Sequence, residues 1–432
     1  MLKKIKNIAL KTDSFLFKTF GTDKSIKLLE NIKEAQIIFS YLNEIGTDAK
    51  VRFVGGCVRK ALCGQQIDDI DLATSLEPNE VKDKLVKKGV KVIDTGITHG
   101  TVTAFLNKKK FEITTLRKDI RTDGRHAEVK FTSNWEEDAS RRDFTINAIY
   151  ADINGRIFDP LNGIDDLRNG HIKFIGSPDD RIREDYLRIL RFFRFFIQYS
   201  QDDCDKNVIQ SIKENINGLN EISNERIFSE LTKILKLKNL SNLFFNNHTK
   251  EIIINIFPQF KYYKRLKNIN KLSQKIKNLY DIHLILALLI VDESSNYEYF
   301  CYKYKTSNKI KKRLENIFNN LDVIKMKKFY SEQNFKKMIY FTSKDEVKDL
   351  LLFSICLKNK TKVLDVEKLI DYINTCKVPK FPVSGDYLKN HGYKTGQALG
   401  KKIKLLEEKW IENNFIMEKN FLDKHLIKSD KN

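Results

Sequence analysis

The hydrophobic pattern of this chain confines its strands to a single stretch, and that confinement limits the fold more than any other feature. Between residues 51 and 150, short β-rich runs follow one another. "VRFVGG", "DIDLAT", "KVIDTG", "GTVTAFLN" and "KFEITTLR" read as strands, the last two as a hairpin around "NKKK". Helices interrupt them sparingly: "VRKALCG", and "PNEVKDKLVKKG" with Pro78 near its start and Gly89 at its end. From about residue 165 the alternation fades and helical spacing takes over. "SNERIFSELTKILK", for example, offers Ser223 as an N-cap and sets Ile227, Leu231, Ile234 and Leu235 on one stripe. Residues 1–45 also read as helical, with Gly46 as the stop. Strands gathered in one stretch and helices in another describe an α+β protein with a small mixed sheet, not a βαβ repeat.

At 432 residues the chain is long enough for two to four domains. Its 41% hydrophobic content excludes bulk disorder. The longest apolar run, "LILALLIV" at 284–291, is too short to cross a bilayer, so the expectation is a soluble, cytoplasmic protein without a membrane partner. The lysine-rich start, without arginine, leaves an organelle matrix as the second option. Cysteines 57, 63, 204, 301, 356 and 376 show no CxxC or zinc-type spacing and read as free thiols. The net charge of +21 is uneven: residues 1–200 carry 35 Lys and Arg against 29 Asp and Glu, the remainder 43 against 28. A basic C-terminal half is the electrostatic footprint of a nucleic-acid partner, although a lysine-biased genome produces the same excess.

Chemistry concentrates in "QQIDDIDLAT". On a strand, residues two apart share a face, so Asp69 and Asp71 project together while Asp68 turns away. Two carboxylates side by side repel unless a hard divalent cation, chiefly Mg2+, lies between them. Glu112, on a neighbouring expected strand, is the candidate third carboxylate of a two-metal site. A solvated strand edge would carry the same pair, so the context matters. Gly55 and Gly56 precede it in a turn where bare backbone can approach phosphates, and Arg59 follows one helical turn later.

These stretches, with "GITHGTVTAF", "DGRHAEVKFT", "RRDFTINAIYAD", "FDPLNGIDDL" and "IREDYLRILRFFRF", resemble the class II tRNA nucleotidyltransferases, the bacterial CCA-adding enzymes and poly(A) polymerases of the polymerase-beta superfamily. The likeness is dense over residues 51–235 and returns faintly near the C-terminus in "FPVSGDYLKNHGYKTGQALGKKIKLLEEKWIENNF". It implies an elongated molecule with an N-terminal helical extension (1–45), a catalytic head (46–160), a base-reading neck (161–235), a body (236–335) and a tRNA-binding tail (336–432). It also implies that Gly56 and Arg59 hold the triphosphate, that Asp69 and Asp71 bind Mg2+ with Glu112, that Arg142 contacts the nucleotide, and that Asp143 reads the ribose. The residue after Arg59 is Lys60, where many members have Asp.

The resemblance gives "IREDYLRILRFFRF" a task. Read as one helix, it sets Asp185 and Arg188 on one face, three apart. An ionised Asp only accepts hydrogen bonds and Arg only donates. Cytosine and adenine each offer an amino donor beside a ring-nitrogen acceptor. Uracil and guanine offer the reverse order, so one Asp–Arg pair selects C and A without a template strand. Arg191 and Arg194 are implied to line the same nucleotide site, while Phe192, Phe193, Phe195 and Phe196 read as core packing. The implied reaction uses CTP and ATP to extend the 3′ end of tRNA, held by its acceptor arm and elbow, by a monomer or a homodimer. The segment "LRKDIRTDGRHAEVKF", which in the family forms a flexible loop needed for A addition, is present and unshortened. A poly(A) polymerase or an A-adding enzyme shares the chemistry, and a silent RNA-binding protein could share the fold.

Overall fold

The computed structural model describes residues 22–43, 50–123, 126–200, 203–357, 365–417 and 422. The expectations placed on residues 1–21 and on Gly46 lie outside that range. The chain divides into two compact units, residues 1–256 and 257–432.

The first unit holds the sheet. Helices α1 (Thr22–Glu30) and α2 (Lys33–Leu42) precede β1 (Val51–Val54), α3 (Gly56–Leu62), β2 (Ile70–Thr74) and α4 (Pro78–Lys87). β3 (Lys91–Gly96), β4 (Thr101–Leu106) and β5 (Lys109–Thr115) follow. Seven strands run in the order β3-β4-β5-β2-β1-β8-β9, with two-residue β8 (Tyr150–Ala151) and β9 (Ile157–Phe158) at one edge. The β2–β5 pair is parallel and the others antiparallel, so the sheet is mixed, as the pattern implied. The hairpin around "NKKK" turns on Asn107 and Lys108, both at positive φ. That suits a two-residue hairpin turn, whose twist matches the strands it joins.

The stretch expected as a loop contains a separate two-stranded ribbon, β6 (Arg117–Asp123) and β7 (His126–Phe131). Its charge-rich sequence hides the alternation by which a half-buried strand is read. Helix α5 (Trp135–Ser140) follows, capped by the Asn134 side chain, which accepts from Glu136 N at 2.8 Å. One side of the sheet is sealed by Val54, Ala73, Leu116, Ala139, Ala148 and Tyr150.

Beyond the sheet come α6 (Gly163–Asn169), α7 (Pro178–Glu184), α8 (Arg188–Tyr199), α9 (Lys206–Asn215) and α10 (Asn224–Leu235). Ile227, Leu231, Ile234 and Leu235 are buried as their spacing required, though the Ser223 side chain makes no capping hydrogen bond. All regular elements among the described residues of the second unit are helices. "LILALLIV" lies mostly in the helix Ile282–Ile290, buried from Leu286 onward. Among the described residues no helix is long and apolar enough to cross a membrane. All six cysteines are free.

Candidate active site

β1 ends in a turn that only glycine enters easily. Gly55 has φ +68, a left-handed conformation that costs L side chains energy. A Cβ there would lie 3.6 Å from the Asn147 carbonyl oxygen and 3.7 Å from Arg142 Nη1; one on Gly56 would lie 4.0 Å from Asp71 Oδ2. These are ordinary contact distances, so at this turn, where three segments distant in sequence meet, it is the φ of Gly55 rather than space that calls for glycine.

β2 brings in the carboxylates. Asp71 is paired in register with Glu112 of β5, and Asp69 stands exposed just before the strand. Burial, then Glu112, then Asp69 push the Asp71 carboxyl up to about 6, against the opposing pull of Arg142 and Lys110. Crowded carboxylates of this kind are an oxygen-donor set suited to a hard divalent cation. Glu112, expected as a third ligand, instead pairs with Lys110 of its own strand. Among the described residues, no three His, Cys, Asp or Glu side chains are arranged to hold a metal ion. Lys110 and Glu112 are alternate residues of β5 and share a face, which lets the lysine reach the carboxylate. Asp68, on the other side, pairs with Lys60 at 3.1 Å, so the residue that departs from the family pattern makes its own local ion pair.

Arg142 is held by groups the sequence analysis missed. The Asp138 carboxylate is buried and accepts from Arg142 Nη2 at 2.9 Å, Arg141 Nε at 2.8 Å and the Tyr150 hydroxyl at 2.7 Å. Burial pushes its pKa up, but the two arginines and the tyrosine more than reverse this and hold it well below the usual carboxylate range. The signal was present: Asp138 precedes Arg141 and Arg142 by three and four residues at a helix end.

A second group gathers on α8. Asp143 Oδ2 lies 2.6 Å from Arg191 Nη2, and its Oδ1 accepts from Phe144 N at 2.9 Å and Asn147 Nδ2 at 2.8 Å. Burial raises the Asp143 pKa, and Arg191 leads the interactions that bring it below its ordinary value. Arg59 is 5% exposed and points to the same helix. It donates to the Tyr199 hydroxyl at 3.1 Å and to Asn147 Oδ1, and lies over the rings of Phe195 and Tyr199. Arg194 pairs with the buried Glu230 of α10. Phe192, Phe193 and Phe195 are buried core, as expected, while Phe196 is half-buried and stacks on Phe192.

The segment "IREDYLRILRFFRF" is not one helix, which corrects the geometry expected for the reading pair. α7 stops at Glu184, Asp185 is extended (φ −155, ψ 103), and α8 restarts at Arg188. Asp185 Oδ1 accepts from Leu187 N at 3.2 Å, a local side-chain bond that competes with helical pairing. Asp185 Oδ2 accepts from Arg226 Nη2 at 2.8 Å, while Arg188 Nη1 donates to Glu184 Oε2 at 2.6 Å and to the Arg181 carbonyl at 2.9 Å. Asp185 and Arg188 are therefore neighbours across a tight turn, each held by a different partner.

A glycine turn, a strand whose Asp71 stands in register with Glu112 of its neighbour, and an arginine-bearing helix beyond the sheet define a nucleotidyltransferase head. Residues 51–173 match the Poly A polymerase head domain, and residues 203–263 match the probable RNA and SrmB-binding site of polymerase A. The human mitochondrial CCA tRNA nucleotidyltransferase 1 is 34% identical, over 88% of this chain and 87% of its own length. A CCA-adding enzyme of Lactobacillus helveticus is 29% identical over 93% and 98%. The fold is also that of a Bacillus stearothermophilus CCA-adding enzyme solved in complex with CTP, with a TM-score of 0.67, 24% identity and coverage of 88% and 93%. The chain belongs to the CCA-adding tRNA nucleotidyltransferases of class II.

Proposed function

We propose that this enzyme adds C, C and A to the 3′ end of tRNA, joining the RNA 3′-hydroxyl to the α-phosphate of CTP or ATP and releasing pyrophosphate. The observation that carries this reading is Asp71, in register with Glu112 of β5 and next to Gly56, with Arg142 turned towards Gly55. Asp69 and Asp71 would hold the divalent ion of this family, for which we propose Mg2+. When bound, the ion activates the attacking hydroxyl and neutralises the leaving pyrophosphate. Glu112, released from Lys110, supplies further negative charge at that position. Gly55, Gly56, Arg59 and Arg142 serve the triphosphate. Arg142 reaches it through Nη1, the nitrogen turned towards Gly55, because Nε and Nη2 are taken by Asp138.

Asp143 serves the ribose, and Arg191 and Arg194 line the nucleotide site. Asp185 and Arg188 read the base edge, accepting from the amino group of C or A and donating to its ring nitrogen. The basic half of the chain, including the body (236–335) and tail (336–432), holds the acceptor arm and elbow of tRNA through phosphates and shape. We place the enzyme in the cytoplasm. The mitochondrial relatives favour an organelle matrix as the second location, which fractionation of the tagged chain would separate.

The head-domain match favours a second reading, a poly(A) polymerase. Incubation with tRNA lacking its 3′ end, Mg2+ and each nucleotide separately distinguishes the two. Incorporation from CTP and then ATP is expected; use of ATP alone would remove CCA addition.

A further inference from the structure

We infer that Asn147 is the positioning residue for sugar selection, an amide that ties the Arg59 side of the nucleotide site to the Asp143 side. This rests on the proposed role of Asp143 at the ribose. Asn147 lies in the short 3-10 turn Thr145–Asn147, and its backbone carbonyl comes up beneath the Gly55 turn. Its side chain is buried and accepts from Arg59 Nη1 through Oδ1 while donating from Nδ2 to Asp143 Oδ1 at 2.8 Å. The chain of contacts continues from Asp143 Oδ2 to Arg191 Nη2 at 2.6 Å.

The chemistry of the two neighbours dictates what can stand between them. A guanidinium only donates and an ionised carboxylate only accepts, so the linking group must accept on one side and donate on the other. An amide does both with its two ends fixed apart. A carboxylate at the same position would accept from Arg59 but face Asp143 with a like charge. An alkyl group would leave buried donors and acceptors unmatched, which costs more than the bond itself is worth. Phe144 N and Asn147 Nδ2 both hydrogen-bond to Oδ1 and so hold the rotation of the Asp143 carboxylate, while Oδ2, an ion-pair neighbour of Arg191, is left as the acceptor without a hydrogen bond. A hydroxyl on the incoming sugar then meets an acceptor in one orientation. Losing the amide frees that rotation and, at the same time, releases Arg59.

The test is the ratio of kcat/KM for CTP to that for dCTP, on tRNA lacking its 3′ end, in the full-length enzyme. Asn147→Asp is expected to lower this ratio roughly 10- to 100-fold, the range for hydrogen bonds to charged groups. It should also raise KM for CTP more than it lowers kcat. Should that variant fail to fold, Asn147→Ser and Asn147→Ala replace it. Serine keeps a donor and an acceptor on one shorter side chain, so its ratio should exceed that of alanine. Asp143→Ala separates the role of Asp143 at the ribose from that of Asn147. If Asp143→Ala keeps the wild-type ratio, the ribose reading of Asp143 is wrong. If Asp143→Ala loses the ratio while Asn147→Asp keeps it, or if serine and alanine are indistinguishable, the role assigned here to Asn147 is wrong.

Discussion

Asp71 and Asp138 show two ways for one residue type to be held. Asp71 is raised to about 6 because burial and two carboxylates crowd it, whereas Asp138 is lowered because two arginines and a tyrosine converge on it. The first arrangement opposes folding and the second supports it. Asp71→Asn should therefore abolish nucleotide transfer and, in chelator at neutral pH, raise the melting temperature. A melting temperature lower than wild type would show that the repulsion is absent. The sign is opposite for Asp138. Its folded pKa lies below the unfolded value near 4, so its stabilisation is full at neutral pH and fades as pH falls through and below that value. Asp138→Asn should cost about 3–5 kcal/mol at pH 7, as for a broken buried ion pair. That difference should shrink in unfolding experiments towards pH 3. At the reading turn, Asp185→Ala should admit UTP and GTP while leaving the affinity for the triphosphate moiety nearly intact; continued exclusion of both nucleotides would place base reading elsewhere.

Between residues and the whole lie the elements that aim them. The turn holding Asn147 is pressed by the start of α6, where a Cβ on Gly163 would come within 2.2 Å of the Thr145 carbonyl oxygen. Backbone cannot yield as a side-chain tip can. Gly163→Ala should cost about 1–3 kcal/mol by overpacking, and should raise KM for CTP although residue 163 touches no proposed nucleotide contact. Unchanged stability and KM would mean that the turn shifts freely. The break between α7 and α8 is a second element-scale device. Gly218 leaves room there for the ring of Tyr186, which a Cβ would meet at 2.2 Å. The reading turn is thereby seated against the helical region that follows it, and Arg226 of α10 holds Asp185 from the same side.

At the scale of the molecule, charge is the dominant variable. The excess of +21 lies mostly beyond residue 200, where no nucleotide contact beyond α8 is proposed. Binding of tRNA should therefore be salt-sensitive while the KM for CTP is much less so. Contact with six to ten phosphates weakens binding by on the order of 10³ or more between 50 and 200 mM salt. A flat salt dependence of tRNA affinity, measured by filter binding, would locate the RNA grip outside the basic half.

What the linear sequence determined was local: five strands, the glycine turn and the carboxylate pair follow from β-rich runs bounded by turn residues, the conformational freedom of glycine and the repulsion of like charges. None of these needs knowledge of distant residues. Tertiary structure decided the partners. Asn147 between Arg59 and Asp143, Glu230 on Arg194 and Arg226 on Asp185 join residues 4 to 88 positions apart. A buried polar group is satisfied by whatever the packing brings near, which the spacing of its own segment does not encode. For the same reason a strong helical pattern over 182–195 gave way at Asp185, where a side-chain hydrogen bond and the fit of Tyr186 against Gly218 interrupt the helix for residues 185–187.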